Sequence, residues 1–348
     1  MSCLYFNNDY NRGAHPKIIE AIVKTNGEAL DAYGFDKYSL SAERKILEAC
    51  CCPEGQVYFI SGGTQTNQVV IDTMLASYEG AVSASTGHIN AHESGAVEFT
   101  GHKVLPLPSH GGKITAEELR DMLVGYYNDA NHEHMVWPGI VYISQPTEYG
   151  TLYSKRELED IYAVCQSYEL PLFIDGARLI YALCSEGADL ALPDYARLCD
   201  VFYIGGTKAG TLCGEAVVFT HGSAPKHFLS SVKQHGAMLA KSRILGVQFD
   251  ALFTDGLYLE IGRHGIETAS RLKRMLADLG LPFLLDSPTN QQFVIMENSV
   301  LAELESSVKY SFWEAVDEGH TAVRFATSWS TEWEELDALE ALLKEKLG

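Results

Sequence analysis

Basic charge is scarce in this sequence. Lys and Arg number 26 against 46 Asp and Glu, for a formal charge of −20 at pH 7. No run of Lys and Arg is long enough to make a basic face, which argues against nucleic-acid binding and against docking on anionic lipid. Long apolar runs are missing as well: none reaches the ~18 residues that cross a bilayer. The cysteines Cys3, Cys50, Cys51, Cys52, Cys165, Cys184, Cys199 and Cys213 form no C-x-x-C pair and no Cys/His spacing typical of zinc. The Cys50-Cys51-Cys52 run reads as the end of a helix over 42–51, just before Pro53, with two of its three side chains buried as small hydrophobes. The first nine residues lack the charged start and apolar stretch of a secretory leader, so the expected compartment is the reducing cytoplasm. What is present is an ordinary folded composition, 46% hydrophobic and 21% charged, which excludes a disordered chain.

Strand-like and helix-like segments alternate through most of the chain. Strands are expected at 57–60, 140–144, 170–174, 201–204 and 216–220, with helices at 65–78 and 155–168. Continuous apolar strands separated by helices predict an α/β fold with a mostly parallel sheet covered on both faces. The pattern then changes. A long helix is expected over 263–279, stopped by Gly280 and Pro282. Strands follow at 292–296 and 322–326. A last helix starts at a capping-box spacing, Thr331 and Glu334. The organisation expected is an N-terminal arm (1–20), a large α/β domain (21–255) and a small C-terminal α+β domain (256–348).

Ligands of a parallel sheet gather at the carboxyl ends of its strands, so the loops after them are where chemistry is expected. The first, Gly62-Gly63-Thr64-Gln65-Thr66-Asn67, runs into a helix whose free N–H groups suit an anion. It is neither a P-loop nor a G-x-G-x-x-G pattern. Next come His88 and His92. A zinc helix of the usual kind needs Glu after the first His, where this chain has Ile89, so no metal is expected and His88 reads as a structural ring or one that packs on a ligand. Glu148 follows the strand at 140–144. Asp175 ends the strand at 170–174, and Arg178 lies three residues on. That pair reads either as an ion pair of structural value or as an Asp for a cation and an Arg for an anion. Lys208 ends a buried strand among small residues. A desolvated lysine has a lowered pKa and becomes an amine nucleophile toward carbonyls; the alternative is a lysine that snorkels to the surface. Taken together these loops offer a phosphate cradle, a stacking His, a cation partner, an anion partner and a Schiff-base Lys, in the order that fold-type I pyridoxal-phosphate enzymes use.

Along nearly its whole length the chain resembles the threonine aldolase / β-eliminating lyase family of pyridoxal-phosphate enzymes. The residues that carry the resemblance are Asn8-Asp9, Tyr33-Gly34, Gly63-Thr64-Gln65-Thr66-Asn67, His88, Asp175-Gly176-Ala177-Arg178, Thr207-Lys208 and Val323-Arg324-Phe325. It is most similar to the phenylserine-aldolase-like branch, at Ser144-x-x-Thr147-Glu148-x-Gly150 and at Lys233…Lys241-Ser242-Arg243. The resemblance implies a cofactor held by Lys208 as a Schiff base, with Thr207 beside it and the phosphate on Gly63, Thr64 and Gln65. It implies His88 stacked on the ring and Asp175 paired with the ring nitrogen. Arg178 and Arg324 would hold the substrate carboxylate, with Asn8 nearby. Tyr33, and Lys241 or Arg243, would come from a neighbouring subunit of a homo-oligomer, a dimer of dimers. Two positions depart from the pattern: Glu148 stands where well-known threonine aldolases have His, and Asn8 where many have Ser. The implied reaction is retro-aldol cleavage of L-threonine, allo-threonine or a relative such as phenylserine to glycine and an aldehyde. Proton handling there falls to His88, Glu148 or water. β-Elimination or transamination on the same scaffold, and a non-catalytic cofactor-binding protein, remain as alternatives.

Overall fold

The computed structural model describes residues 3–347. Met1 and Ser2 of the expected arm, and Gly348 at the end of the expected C-terminal domain, lie outside it. Strand β1 is Leu4–Tyr5. Seven strands follow: Gln56–Ile60 (β2), Glu79–Ala84 (β3), Lys103–Leu107 (β4), Trp137–Ser144 (β5), Leu172–Asp175 (β6), Val201–Gly205 (β7) and Glu215–Phe219 (β8). The last four are Gln291–Glu297 (β9 in chain order), Val308–Lys309 (β10), Ser311–Ala315 (β11) and His320–Ala326 (β12).

The central sheet runs β2-β8-β7-β6-β5-β3-β4. β8 lies antiparallel to both its neighbours, and the other pairings are parallel. Side chains alternate across it. Val141, Ile143, Leu172, Ile174, Phe202 and Ile204 join one apolar cluster, whereas Ile140, Tyr142, Phe173, Val201 and Tyr203 join another on the opposite face. Helices cover both faces, which is why these strands read as unbroken apolar runs. The expected α/β architecture with a mostly parallel sheet is the one found.

Near the C-terminus β11, β12 and β9 form an antiparallel sheet, and the long helix Leu257–Asp278 and the last helix Trp333–Leu347 share an apolar cluster with it through Leu276, Val294, Phe325 and Leu339. Phe6 is buried in that cluster. Its N–H donates to the Lys309 carbonyl (2.8 Å), and its own carbonyl accepts from the Ala326 N–H (2.7 Å). The start of the chain is thereby fixed against the C-terminal sheet, and this sets where Asp9 falls.

Several boundaries differ from the expectations. The helix expected over 65–78 is Gly63–Met74, because its first turn is the glycine loop itself. The long helix begins at Leu257 rather than 263. The Thr331/Glu334 capping box does not form: Thr331 accepts the Ser328 N–H (2.9 Å), and Glu335 accepts that of Glu332 (3.0 Å), so the cap sits one residue later. The helix before the cysteine run is Lys37–Ala49, with Cys50 and Cys52 buried and Cys51 exposed, as the run's apolar reading predicts.

The chain ends of the sheet meet along one edge. Ser144 pairs with Asp175, and Glu215 lies opposite Gly205 on one side and Ile60 on the other. The β6 and β7 ends approach so closely that a Cβ on Gly176 would stand 1.9 Å from the Tyr203 carbonyl oxygen. Gly176→Ala is therefore expected to cost about 2 kcal/mol or more, read as a lower urea midpoint. Gly125→Ala, in an open stretch of the helix Ala116–Asn128, should instead stabilise by about 0.5–1 kcal/mol. Equal effects at the two glycines would contradict the packing described for β6 and β7.

Candidate active site

Most of the residues singled out from the sequence come together at that edge. Gly63, Thr64, His88, Glu148, Asp175, Arg178, Thr207 and Lys208 line a cavity of about 330 Å³. His88, Glu148, Arg178 and Lys208 also line an adjoining cavity of about 620 Å³, together with Arg324, Tyr149, Phe312 and Trp313. The two share walls and form one cleft.

Asp175 sits at its floor. The carboxylate accepts from the Tyr142 hydroxyl (2.5 Å), the Tyr203 hydroxyl, the Asn67 amide (3.0 Å) and the Ala177 N–H (3.0 Å). Burial alone would push its pKa up. The charge of His88 and the two tyrosine hydroxyls outweigh burial and hold it below the ordinary carboxylate range. Among the described residues Asp175 makes no salt bridge, so it is a buried anion with a place for a cation.

Lys208 follows β7 in the tight turn Thr207–Ala209. Its amine makes no salt bridge among the described residues. Burial, reinforced by Arg178, pulls its pKa down, against the pull of Asp9, Asp175 and Glu215. A lowered ammonium pKa increases the fraction present as free amine, the form that attacks a carbonyl.

Arg178 pairs with Asp9, not with Asp175, so the structural Asp175–Arg178 pair that the sequence allowed is absent. Its Nε lies 2.7 Å from Asp9 Oδ2 and its Nη2 3.0 Å from Asp9 Oδ1. Asn290 adds a third bond to Asp9 (2.9 Å). Burial acts to raise the Asp9 pKa, but Arg178 and Lys208 prevail and hold it at about 2. Arg324 differs. It donates only to neutral acceptors: Gln291 Oε1 (2.9 Å), the Asn7 carbonyl (3.0 Å) and Ser311 Oγ (3.2 Å). Its Nε is buried with no partner, and burial next to the charge of Arg178 lowers its pKa to about 10. A guanidinium without a carboxylate suits a carboxylate-bearing ligand.

Glu148 accepts from Ser144 Oγ (2.6 Å) and the His88 N–H (2.9 Å) through Oε1, whereas its Oε2 is buried and unpaired. Burial raises its pKa. His88 directs Nδ1 at Glu93 (2.7 Å), and Glu93 is tied through Asn67 to Asp175.

Other expected site residues lie elsewhere. Asn8 turns to the N–H of Tyr10 and lines a separate pocket with Arg12 and Glu335, whereas Tyr10 lines the cleft and Asp9 is buried against Arg178. The Gln65 side chain faces Ser61 and the His235 carbonyl. Tyr33 lines a pocket with Ser242 and lies under the Lys233 ammonium (5.0 Å). Lys241 is exposed, and Arg243 donates to the Thr25 and Glu28 carbonyls. None of these lines the cleft of its own chain. Conversely, Asn67, Glu93, Tyr142, Tyr203 and Glu215 were not singled out for roles in advance. The visible signal was a tyrosine within each of two otherwise apolar strands, β5 and β7, on the face that Asp175 ends.

The Asp9–Arg178 pair gives a stability test. A carboxylate whose folded pKa lies below its unfolded value stabilises fully above the unfolded pKa and loses that stabilisation as pH falls through the folded one. Relative to Asp9→Asn, the wild-type chain should hold about 2 kcal/mol of pH-dependent stability at neutral pH that fades between about pH 4 and pH 2. Denaturant unfolding at a series of pH values reads it, and a gap that stays constant across this range would contradict the pairing.

Comparison with known proteins gives the same direction. Residues 15–299 match the β-eliminating lyase family. A low specificity L-threonine aldolase from Pseudomonas sp. (strain NCIMB 10558) is 31% identical over 333 residues, covering 94% of this chain and 93% of that protein. The structure of a threonine aldolase from Leishmania major superposes with a TM-score of 0.95 at 41% identity, over 99% of this chain and 100% of that one. Aspartate aminotransferase from Thermus thermophilus shares the fold, with a TM-score of 0.70 at 15% identity, over 99% of this chain and 91% of that one. With its fold-type I architecture and the family match spanning most of its length, the chain belongs to the β-eliminating lyase family.

Proposed function

We propose that this chain is a pyridoxal-phosphate-dependent carbon–carbon lyase that cleaves L-threonine, allo-threonine or a related β-hydroxy-α-amino acid to glycine and an aldehyde. The observation that carries this reading is the pairing of opposites in one cleft: a partly buried amine without a carboxylate, Lys208, and a buried carboxylate without a cation, Asp175. The names of the relatives support it, since both the Pseudomonas and the Leishmania proteins are called threonine aldolases.

The residues fit the cofactor. Lys208 supplies the amine for its aldehyde, and Asp175 the counter-charge for its ring nitrogen. The N–H groups that open the helix Gly63–Met74, with no side chain capping them, suit its phosphate. His88 lines the cleft where a ring would pack. When bound, pyridoxal phosphate supplies an electron sink for the pair left on the substrate Cα.

The protein's own groups do the rest. Arg324, with help from the free edge of Arg178, fixes the substrate carboxylate and so orients the Cα–Cβ bond. Glu148, raised by burial, takes the β-hydroxyl proton through its unpaired Oε2. The O–H electron pair forms the aldehyde C=O, the Cα–Cβ pair stays on Cα, and a proton delivered to Cα completes glycine. His88 holds Glu148 in place through its backbone N–H, while its ring is directed at Glu93.

In this reading Tyr33, Lys241 and Arg243 serve the cleft of a second copy, in a homodimer that pairs into a tetramer. The supporting observation is that Ser61, Gly62, Gly63 and Thr64 bring no cation of their own to the anion. Among the described residues no helix is long and apolar enough to cross a membrane. The eight cysteines are all free, which supports a reducing, cytoplasmic setting.

Incubation with threonine, phenylserine and cysteine tests the reaction: glycine and an aldehyde are expected, whereas pyruvate and ammonia would point to β-elimination. Glu148→Gln should lower kcat for aldol cleavage about 100-fold or more while cofactor content stays unchanged. Parallel loss of both would assign Glu148 to structure alone.

A further inference from the structure

One buried carboxylate at the cleft has no part in the chemistry above. Glu215 opens β8, the one reversed strand of the central sheet. It lies opposite Ile60 and Gly205, and so between the Ser61–Thr64 loop and the Lys208 turn. It is 4% exposed and lines the same cavity as Ser61, Gly62, Gly63 and Thr64. Oε1 accepts from the Thr207 hydroxyl (2.8 Å), and Oε2 accepts from the Gly206 N–H (2.9 Å). Thr207 Oγ1 in turn accepts from the Gly214 N–H (3.2 Å).

This arrangement opposes an anion in two ways. A carboxylate charge shares a poorly screened pocket with the cradle, where repulsion is stronger than in water. An ionised Glu215 also claims the one proton that the Thr207 hydroxyl has to donate. A neutral Glu215 removes both obstacles, because the acid can itself donate to Thr207 Oγ1 and release that proton toward the cavity.

We propose that Glu215 is a charge gate on the phosphate cradle: as a neutral acid it permits a tight hold on the cofactor's phosphate, and its ionisation loosens that hold. The proposal rests on the pyridoxal-phosphate reading. Burial brings the Glu215 pKa up to about 7, against the pull of the Thr207 and Gly206 bonds and of Lys208, and Asp175 adds to the rise. The other titratable groups facing it are Tyr203 on β7 and Cys213 just before β8. Ser61, Gly62, Gly63 and Thr64 contribute none. Across the cavity stand His88, Glu93, Glu148 and the Asp9-paired Arg178.

The test uses the full chain freed of cofactor. Its affinities for pyridoxal phosphate and for pyridoxal, which lacks the phosphate, are measured by absorbance at about pH 6.5 and about pH 8.5. Taking the ratio of the two cancels the pH dependence of the amine–aldehyde reaction that both share. In the wild-type chain the ratio should fall about tenfold toward the higher pH, the equivalent of one pKa unit of coupling. The direction is diagnostic, since the phosphate's own second ionisation, near pH ~6, would strengthen binding as pH rises. In Glu215→Gln the ratio should stay within about twofold across the same range. A flat wild-type ratio, or a variant that falls as the wild type does, overturns the gate. If the variant does not fold, the wild-type ratio decides alone. If neither aldehyde binds, the cofactor reading fails and the gate with it.

Discussion

An anion kept in the protein interior without a cation is the constraint around which the rest of this structure is arranged. Removing a carboxylate from water is costly unless its oxygens are satisfied. Asp175 is satisfied by two tyrosine hydroxyls, an amide and a backbone N–H. Each such bond to a charged group contributes about 1.5–3 kcal/mol. Together they hold the charge in place and leave it uncancelled. Tyr142 and Tyr203 reach Asp175 only because β5, β6 and β7 are adjacent and parallel, and because Gly176 lets β6 and β7 close to backbone contact.

The same sheet edge sorts the cations. Arg178 is balanced by Asp9, which the N-terminal segment brings in by docking Phe6 into the C-terminal cluster. Arg324 comes from β12 and is held only by neutral oxygens. Of the two guanidiniums one is therefore internally neutralised and one is available, a charge balance suited to a single carboxylate. Reversal of β8 adds Glu215 to this edge, which a wholly parallel sheet would not place beside both the glycine loop and the lysine turn.

Much of this was legible in the sequence, and the reasons are local. Asp175 and Lys208 stand out because a charge that ends an apolar strand has few structural uses. The glycine loop announces a helix start, and unbroken Val, Ile and Phe runs announce strands buried on both faces. β3 and β4 were not legible: Glu79–Ala84 has a single valine among Glu, Gly, Ala and Ser, and Lys103–Leu107 carries a proline, tolerated because β4 is the edge strand. The partner of Arg178 was not legible either. Asp9 lies 169 residues away, and only the docking of the N-terminal segment makes them neighbours. Asn8 lines a separate pocket, while Tyr10, two residues on, lines the cleft, a placement that the docking of the N-terminal segment decides. Tyr33, Lys241 and Arg243 belong to surfaces whose purpose a single chain does not display.

The central claim is that the Lys208 amine joins the aldehyde of the proposed cofactor above Asp175. Borohydride reduction of the loaded protein, followed by peptide mass analysis, tests it most directly. The account predicts a phosphopyridoxyl group fixed to Lys208 and absent from every other lysine. A reduced protein whose Lys208 peptide is unmodified would contradict it.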